Sequence, residues 1–317
     1  MRKIKMIMVT KKNKLLFMAI FFLLLPSFCV SFSLNYEIAA QEKPQLELVK
    51  GGNFKPLMVF KGSIISTNNS HIIYLDDFFI GKTEVTVSDF AEFCNKANYR
   101  TKVEIEGGYY EWNQEEFRWE PKRGASWKNP GYNQKNNYPV VLVDWYDCIE
   151  YCNWRSKIDG FEPVYTIDKN NKDSNNSASD NRKWIVTFDQ TKNGYRLPTA
   201  SEWEYAMRGG TKAKNLKYGS SDNVDEISWT TMNSKHVMQT ATKKPNELGL
   251  YDMLGNASEW CWDWFGENTT TNNPIGPTAG RQRWVMNGME DDQLIFIPLS
   301  PAQPSDQVGF RIVRNAK

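Results

Sequence analysis

The sequence predicts a mixed α+β domain with few helices, short strands and long loops. Three observations carry that prediction. Trp260, Trp262 and Trp264 alternate. On a strand they would share one face, with Glu259, Cys261 and Asp263 on the other. Thr199 and Glu202 stand three apart behind Pro198. That capping box predicts a helix over Ala200–Arg208, stopped by Gly209-Gly210. Trp145, Cys148, Ile149 and Cys152 fall at i, i+3, i+4 and i+7, one apolar helix stripe with Asp144 as its cap. A further helix is predicted around Val87–Ala97. The other apolar runs, Ile72–Tyr74, Phe78–Ile80 and Trp184–Phe188, are short and set among Gly, Asn and Ser.

Three longer segments refine the fold. They are Gly194-Tyr195-Arg196-Leu197-Pro198-Thr199-Ala200-Ser201-Glu202-Trp203-Glu204-Tyr205-Ala206, then Gly249-Leu250-Tyr251-Asp252-Met253-Leu254-Gly255-Asn256-Ala257-Ser258-Glu259-Trp260, then Gly309-Phe310-Arg311. Gly51-Gly52-Asn53-Phe54 and Lys82-Thr83-Glu84-Val85-Thr86 precede them. In this order they resemble the formylglycine-generating-enzyme (sulfatase-modifying-factor) family over about Leu46 to Arg314. The resemblance implies a C-type-lectin-like core and a single domain over residues 46–317. The Asn-, Asp- and Ser-rich piece Lys169–Asn181 then reads as an exposed hairpin insertion between strands at Tyr165-Thr166-Ile167 and Trp184–Phe188.

The first residues read as a targeting segment. Arg2, Lys3, Lys5, Lys11, Lys12 and Lys14 precede the apolar run Leu15–Leu25. A membrane span needs about 20 residues, so the run fits a signal-peptide core. Cys29 stands at the distance of a bacterial lipoprotein acceptor, although Phe28 before it is not small. We therefore expect a signal segment 1–28, lipidation at Cys29, a linker 29–45 and export to the outer membrane or cell surface. An ordinary cleavage, after Ala40, is the alternative. Removing the six positive residues before Leu15 takes the net charge from +2 to −4. No basic patch then remains, so nucleic acid is not an expected partner. Cys94, Cys148, Cys152 and Cys261 form no CxxC pair and read as buried thiols.

Asp252 and Glu259 are the candidate metal ligands. The resemblance implies a structural calcium held by the Asp252 side chain, the Gly255 and Ala257 carbonyls and the Glu259 carboxylate; calcium takes such oxygens. The other reading is that both carboxylates cap the loop. Ala241 stands where a second family calcium site has an Asp, beside Asn233. The family's enzymes work through copper on two close cysteines ahead of the final Gly-Phe-Arg. Arg281–Val308 contains no Cys, and thiolates are what hold soft Cu(I). Related synthases hold iron with histidines, but only His71 and His236 are present, outside any cluster. No phosphate loop or nucleophile triad is evident. No copper, iron or organic cofactor and no catalytic residue are therefore expected.

The window Trp284–Val308 has no Lys, Arg or His and four acidic residues. Pro298, Pro301 and Pro304 argue against a helix or central strand. An intact frame around an altered insert resembles the variable proteins of diversity-generating retroelements, in which such a segment is a rewritten ligand surface. That implies a monomeric binding protein for a protein or cell-surface ligand, attached to the membrane only through its lipid. The window would then display Trp284, Met286, Asn287, Met289, Glu290, Asp291, Asp292, Gln293, Ile295, Phe296, Ile297 and Asp306 from an irregular, exposed segment. The alternatives are a modifying enzyme or chaperone-like protein for sulfatase-type substrates, and a structural envelope lipoprotein.

Overall fold

Most strands are short because Gly, Asn and Pro interrupt the apolar runs every few residues. The computed structural model describes residues 43–316, apart from 58, 62–63, 67–71, 114, 215 and 291–292. The signal segment, Cys29, most of the linker, His71, Asp291 and Asp292 lie outside the described residues. The first strands are β1 (Leu46–Val49), β2 (Gly52–Phe54), β3 (Val59–Lys61), β4 (Ile64–Ser66), β5 (Ile73–Leu75) and β6 (Phe78–Gly81). Helices α1 (Val87–Ala97) and α2 (Lys102–Glu106) lead to the hairpin β7 (Gly108–Asn113) and β8 (Arg118–Arg123). Then come α3 (Trp145–Ile158), the hairpin β9 (Tyr165–Lys172) and β10 (Trp184–Phe188), β11 (Tyr195–Arg196), α4 (Ala200–Met207) and α5 (Val224–Ile227). The chain closes with β12 (Ser258–Trp264), β13 (Arg283–Glu290), β14 (Gln293–Leu299), β15 (Val308–Gly309) and β16 (Val313–Asn315).

Two four-stranded sheets organise the domain. One runs β1-β6-β16-β11, the other β14-β13-β12-β15, with β12 and β15 parallel. The three long helices begin at capping boxes, two of them at Asp144 and Thr199 as expected and the third at Thr86. Thr86, Asp144 and Thr199 each accept the N3 amide, and Asp89, Asp147 and Glu202 return the bond. Helix α4 ends one residue early, at Met207, and Gly209 follows in the left-handed region at φ 91°.

All seven residues of β12 are buried. Trp260 and Trp262 join α1, α3 and Phe310 in one apolar cluster. Cys261, on the reverse face, joins Trp203, Met207, Trp284, Met286 and Met289 in a second. The Trp260 and Trp145 indoles donate to the carbonyls of Val143 (3.1 Å) and Cys261 (3.0 Å), which ties β12 to the start of α3. The strand is thus central and covered on both faces, and its alternation separates two cores.

The insertion after β9 departs from expectation. Lys169–Lys172 extends the strand, and Asn176 and Asp180 are buried. Asp180 accepts from the Tyr146 hydroxyl at 2.7 Å, and Arg182 donates to Asp144 and Asp147, both at 2.9 Å. Asn176 and Asp180 hold the Tyr146 hydroxyl, and Arg182, just past the insertion, pairs with the capping carboxylates of α3. Composition alone reads such residues as solvent-facing. No helix among the described residues is long and apolar enough to cross a membrane.

Candidate functional site

Glu259 and Arg311 decide the metal question. Both side chains are fully buried. Arg311 donates Nε to Glu259 Oε2 and Nη2 to Oε1, both at 2.6 Å, and Trp203 Nε1 donates to Oε2 at 2.7 Å. The guanidinium also reaches the carbonyls of Gly81 and Tyr251, each at 3.0 Å. A planar bidentate pair uses both carboxylate oxygens, and a fixed positive charge faces the place where a cation would sit. Asp252 gives Oδ2 to the Ala241 amide at 2.7 Å, while its Oδ1 is buried without a hydrogen-bond partner among the described residues. Gly255 donates its amide to the Asn287 carbonyl at 2.8 Å, and Ala257 packs in the first cluster. The residues present do not fit the implied calcium. In this arrangement Glu259 serves Arg311 and Trp203 and is not shared in one ligand set with Asp252, Gly255 and Ala257. Asp252 caps the loop. Burial pushes its carboxyl up to about 6 and holds that of neighbouring Glu84 well above the carboxylate range.

The C-terminal window is corrected. It folds largely as the hairpin β13–β14, and β13 lies inside its sheet, between β12 and β14. Trp284, Met286 and Met289 are therefore buried in the second cluster. The Trp284 ring meets Phe265 at 4.6 Å and Phe296 at 4.9 Å, and half-buried Phe296 packs against the same cluster. Asn287 donates to the Ser258 hydroxyl at 2.8 Å. Between Met286 and Gly288 the register shifts. Gly288 has φ 141°, and any Cβ there would run into Leu254. Gln293, Ile295 and Ile297 alternate outward, the two isoleucines 40% and 45% exposed. Pro298 is tolerated because β14 is an edge strand. Glu290 ends β13. Asp306 lies elsewhere: its carboxyl is raised by burial and then by Glu111 of β7.

One part of the window does open to solvent space. Trp284, Met286 and Leu294 form one side of a cavity of about 390 Å³. Ala200, Ser201 and Glu204 of α4 also line it, with Ala200 and Glu204 one turn apart on one face. The loop Gly266–Thr271 and Asp263 of β12 complete the lining. Asp263 Oδ2 accepts the Ala200 amide at 2.6 Å. Glu204 Oε1 accepts the Leu57 amide at 2.8 Å and Arg208 Nη1 at 3.1 Å. Burial pushes both carboxyls up to about 7. Sequence reasoning singled out neither Glu204 nor Asp263 as a site residue. A signal was there: each is a carboxylate set among large apolar residues.

Among the described residues, the lining holds no thiol or imidazole. Cys94, Cys148, Cys152 and Cys261 are all buried, and burial pushes every one of these thiols up, Cys94 to about 12. No group of three or more His, Cys, Asp or Glu among the described residues is placed to hold a metal ion. His236 stacks on Tyr132 with ring centres 4.3 Å apart. No cysteine lies in the window Arg281–Val308 or among the described residues that line the cavity.

Comparison with known proteins agrees with the motifs. The profile of the sulfatase-modifying factor enzyme 1-like domain matches residues 32–316. The chain is similar to the Chaperone protein LppX of Paenibacillus barcinonensis, 37% identical over 247 residues, covering 72% of this chain and 74% of that protein. It is also similar to the formylglycine-generating enzyme of Mus musculus, 26% identical over 252 residues, covering 68% of this chain and 58% of the enzyme. Among solved structures, the Treponema denticola variable protein 1 superposes with a TM-score of 0.61 at 26% identity, over 85% of this chain and 94% of that one. The C-type-lectin-like α+β fold and the suspected kinship with a Treponema variable protein both stand.

Proposed function

Since the chain belongs to the sulfatase-modifying factor enzyme 1-like domain family, we propose that it is a non-catalytic, ligand-binding member of it. The cavity against β13 and β14 is its binding site. One observation carries the reading: the window that in family enzymes holds reactive cysteines here contributes Trp284, Met286 and Leu294 to an enclosed wall instead. A concave, largely pre-formed site with apolar walls and a few polar groups suits a small ligand or a protein side chain. Similarity to a variable protein supports a diversified window as the ligand surface. The outward Gln293, Ile295 and Ile297 would extend contact beyond the cavity. The N-terminal segment supports export with a lipid on Cys29, so that an otherwise monomeric domain meets a protein or cell-surface ligand.

A second reading, client binding of a chaperone kind, is favoured by the similarity to LppX. Both readings use the same cavity. The test is a glycan and peptide array probed with the wild-type chain and with Leu294→Trp, which fills the cavity. Signals lost in the variant support the binding site; an unchanged array profile, or formylglycine formed on a Cys-containing sulfatase peptide, overturns the reading. A reverse transcriptase gene beside a near-copy of the codons for Trp284–Val308, differing at adenines, is the expected genomic signature of diversification.

A further inference from the structure

The charge around the cavity is one-sided. Among the described residues that line it, Glu204, Asp263 and Glu267 carry charge, and none is Lys, Arg or His. Two of the three are far from ordinary surface carboxylates, Glu204 being 3% and Asp263 1% exposed. Asp263 holds the Ala200 amide, and Glu204 follows one turn later on the same helix face. Both carboxyls therefore border the cavity beside the same face of α4. Glu204 spends Oε1 on Leu57 and Arg208, and among the described residues no donor reaches Oε2. Around these acids the wall is apolar, with Ile73, Pro56, Met286, Leu294 and the Trp284 ring.

We propose that this cavity takes a primary ammonium group on an aliphatic stem, the chemistry of a lysine side chain. The proposal rests on the reading of the cavity as a binding site and names its ligand class. The stem would lie along Met286, Leu294 and Trp284, and the head would reach Glu204 Oε2 and Asp263. An ammonium suits this geometry better than a guanidinium. With one oxygen of Glu204 and one of Asp263 already engaged, neither offers the two parallel acceptors a planar fork requires, whereas a compact head has three rotatable donors. The hydroxyls of Thr269, Thr270 and Thr271 stand nearby as further acceptors. Aromatic and aliphatic walls around a desolvated charge pair give such a site its selectivity over neutral analogues.

Protonation supplies a separate readout. Both inner carboxyls sit near pH 7 in the free protein because they are buried. Arg208 faces Glu204, Glu202 and Arg283 face Asp263, and Glu267 also lines the cavity. A bound ammonium favours the ionised forms, so binding releases protons and affinity rises as the pH passes upward through about 7.

The test is calorimetric titration of the full chain with n-butylamine, with a blocked Gly-Gly-Lys-Gly-Gly peptide and with its norleucine counterpart. The lysine peptide should bind at least about tenfold more tightly than the norleucine peptide, and Glu204→Gln should abolish that preference while keeping the Leu57 amide satisfied. Competition by butylamine would show that the head and stem suffice; a lysine peptide that butylamine does not displace would show that the chain carrying the lysine contributes, and the ammonium assignment stands either way. Equal or better binding of norleucine overturns the proposal, even if Glu204→Gln fails to fold. So does a preference that survives in both Glu204→Gln and Asp263→Asn, or an affinity that falls as the pH rises. Silence from all three probes also overturns it, and array signals lost in Leu294→Trp would then still uphold the cavity as a binding site for some other ligand.

Discussion

Glu259→Gln should destabilise the domain by about 3 kcal/mol, with or without calcium. The magnitude follows from the contacts. The carboxylate accepts two bonds from Arg311 at 2.6 Å and one from Trp203 at 2.7 Å, wholly inside the protein. Breaking a buried ion pair by neutralising one partner costs about 3–5 kcal/mol, because the other charge is left uncompensated. Two details pull the figure to the low end. The amide oxygen can still accept from Trp203 or Arg311. Glu84 and Asp252 also lie within electrostatic reach of Arg311, and with Glu259 neutral the guanidinium would draw one of them into its ionised form. The pair Glu259→Gln with Arg311→Met should then recover about half of the loss, since replacing both members removes the stranded charge. Urea unfolding of the wild type, both single variants and the double variant, each with and without millimolar calcium, measures this. A single variant costing less than about 1 kcal/mol would refute the ion-pair reasoning. So would a rise in wild-type stability with calcium that Glu259→Gln removes, for Glu259 would then be a metal ligand after all.

The remaining predictions concern acid stability and the hairpin. Glu204 and Asp263 are raised by burial from 4.5 and 3.8 to about 7. The folded state thus binds more protons than the unfolded chain between those limits. Stability from these groups is full below about pH 4 and is lost as the pH rises to about 7, on the order of 3 kcal/mol for Glu204 alone. Glu204→Gln should flatten that part of the stability–pH curve, and an unchanged slope would show that the carboxyl titrates normally. On the hairpin, Met286→Ala and Met289→Ala should each cost about 2–5 kcal/mol, whereas Ile295→Lys and Ile297→Lys should stay within about 0.5 kcal/mol. Equal penalties at inward and outward positions in thermal unfolding would refute the assignment of faces.

Local signals were strong where one physical rule governs several residues. The boxes Thr86–Asp89, Asp144–Asp147 and Thr199–Glu202 start α1, α3 and α4, because a capping pair is a local arrangement. Trp260, Trp262 and Trp264 announced a strand, and Phe310 and Arg311 a closing frame. What local patterns do not contain is which partner each side chain meets across the fold. Glu259 has no neighbour in sequence that reveals Arg311, 52 residues on. The long-range ion pair of Glu259 is therefore invisible in the local pattern. Asn176, Asp180 and Arg182 lie in a polar stretch, yet they are buried: the first two hold the Tyr146 hydroxyl of α3 and Arg182 pairs with its capping carboxylates. Met286 and Met289 read as display residues because the window lacked family side chains. Their burial comes from β13 lying between β12 and β14, a property of strand order.

That strand order explains how one segment can both hold the fold and face a ligand. A strand sends successive side chains to opposite faces. On β13, Val285 enters the first core while Trp284 and Met286 enter the second. On β14, Leu294 and Phe296 turn inward, and Gln293, Ile295 and Ile297 face out. Inward positions are constrained by packing, and overfilling or emptying them costs stability. Outward positions meet no such limit. The cavity sits at the junction, where Trp284, Met286 and Leu294 are close-packed on one side and open to Glu204 and Asp263 on the other. Change confined to the outward set alters what is presented at almost no cost to folding. Change at Trp284 or Met286 reshapes the cavity but must preserve volume, so a window diversified for binding would vary freely at residues 293, 295 and 297 and within narrow size limits at 284 and 286.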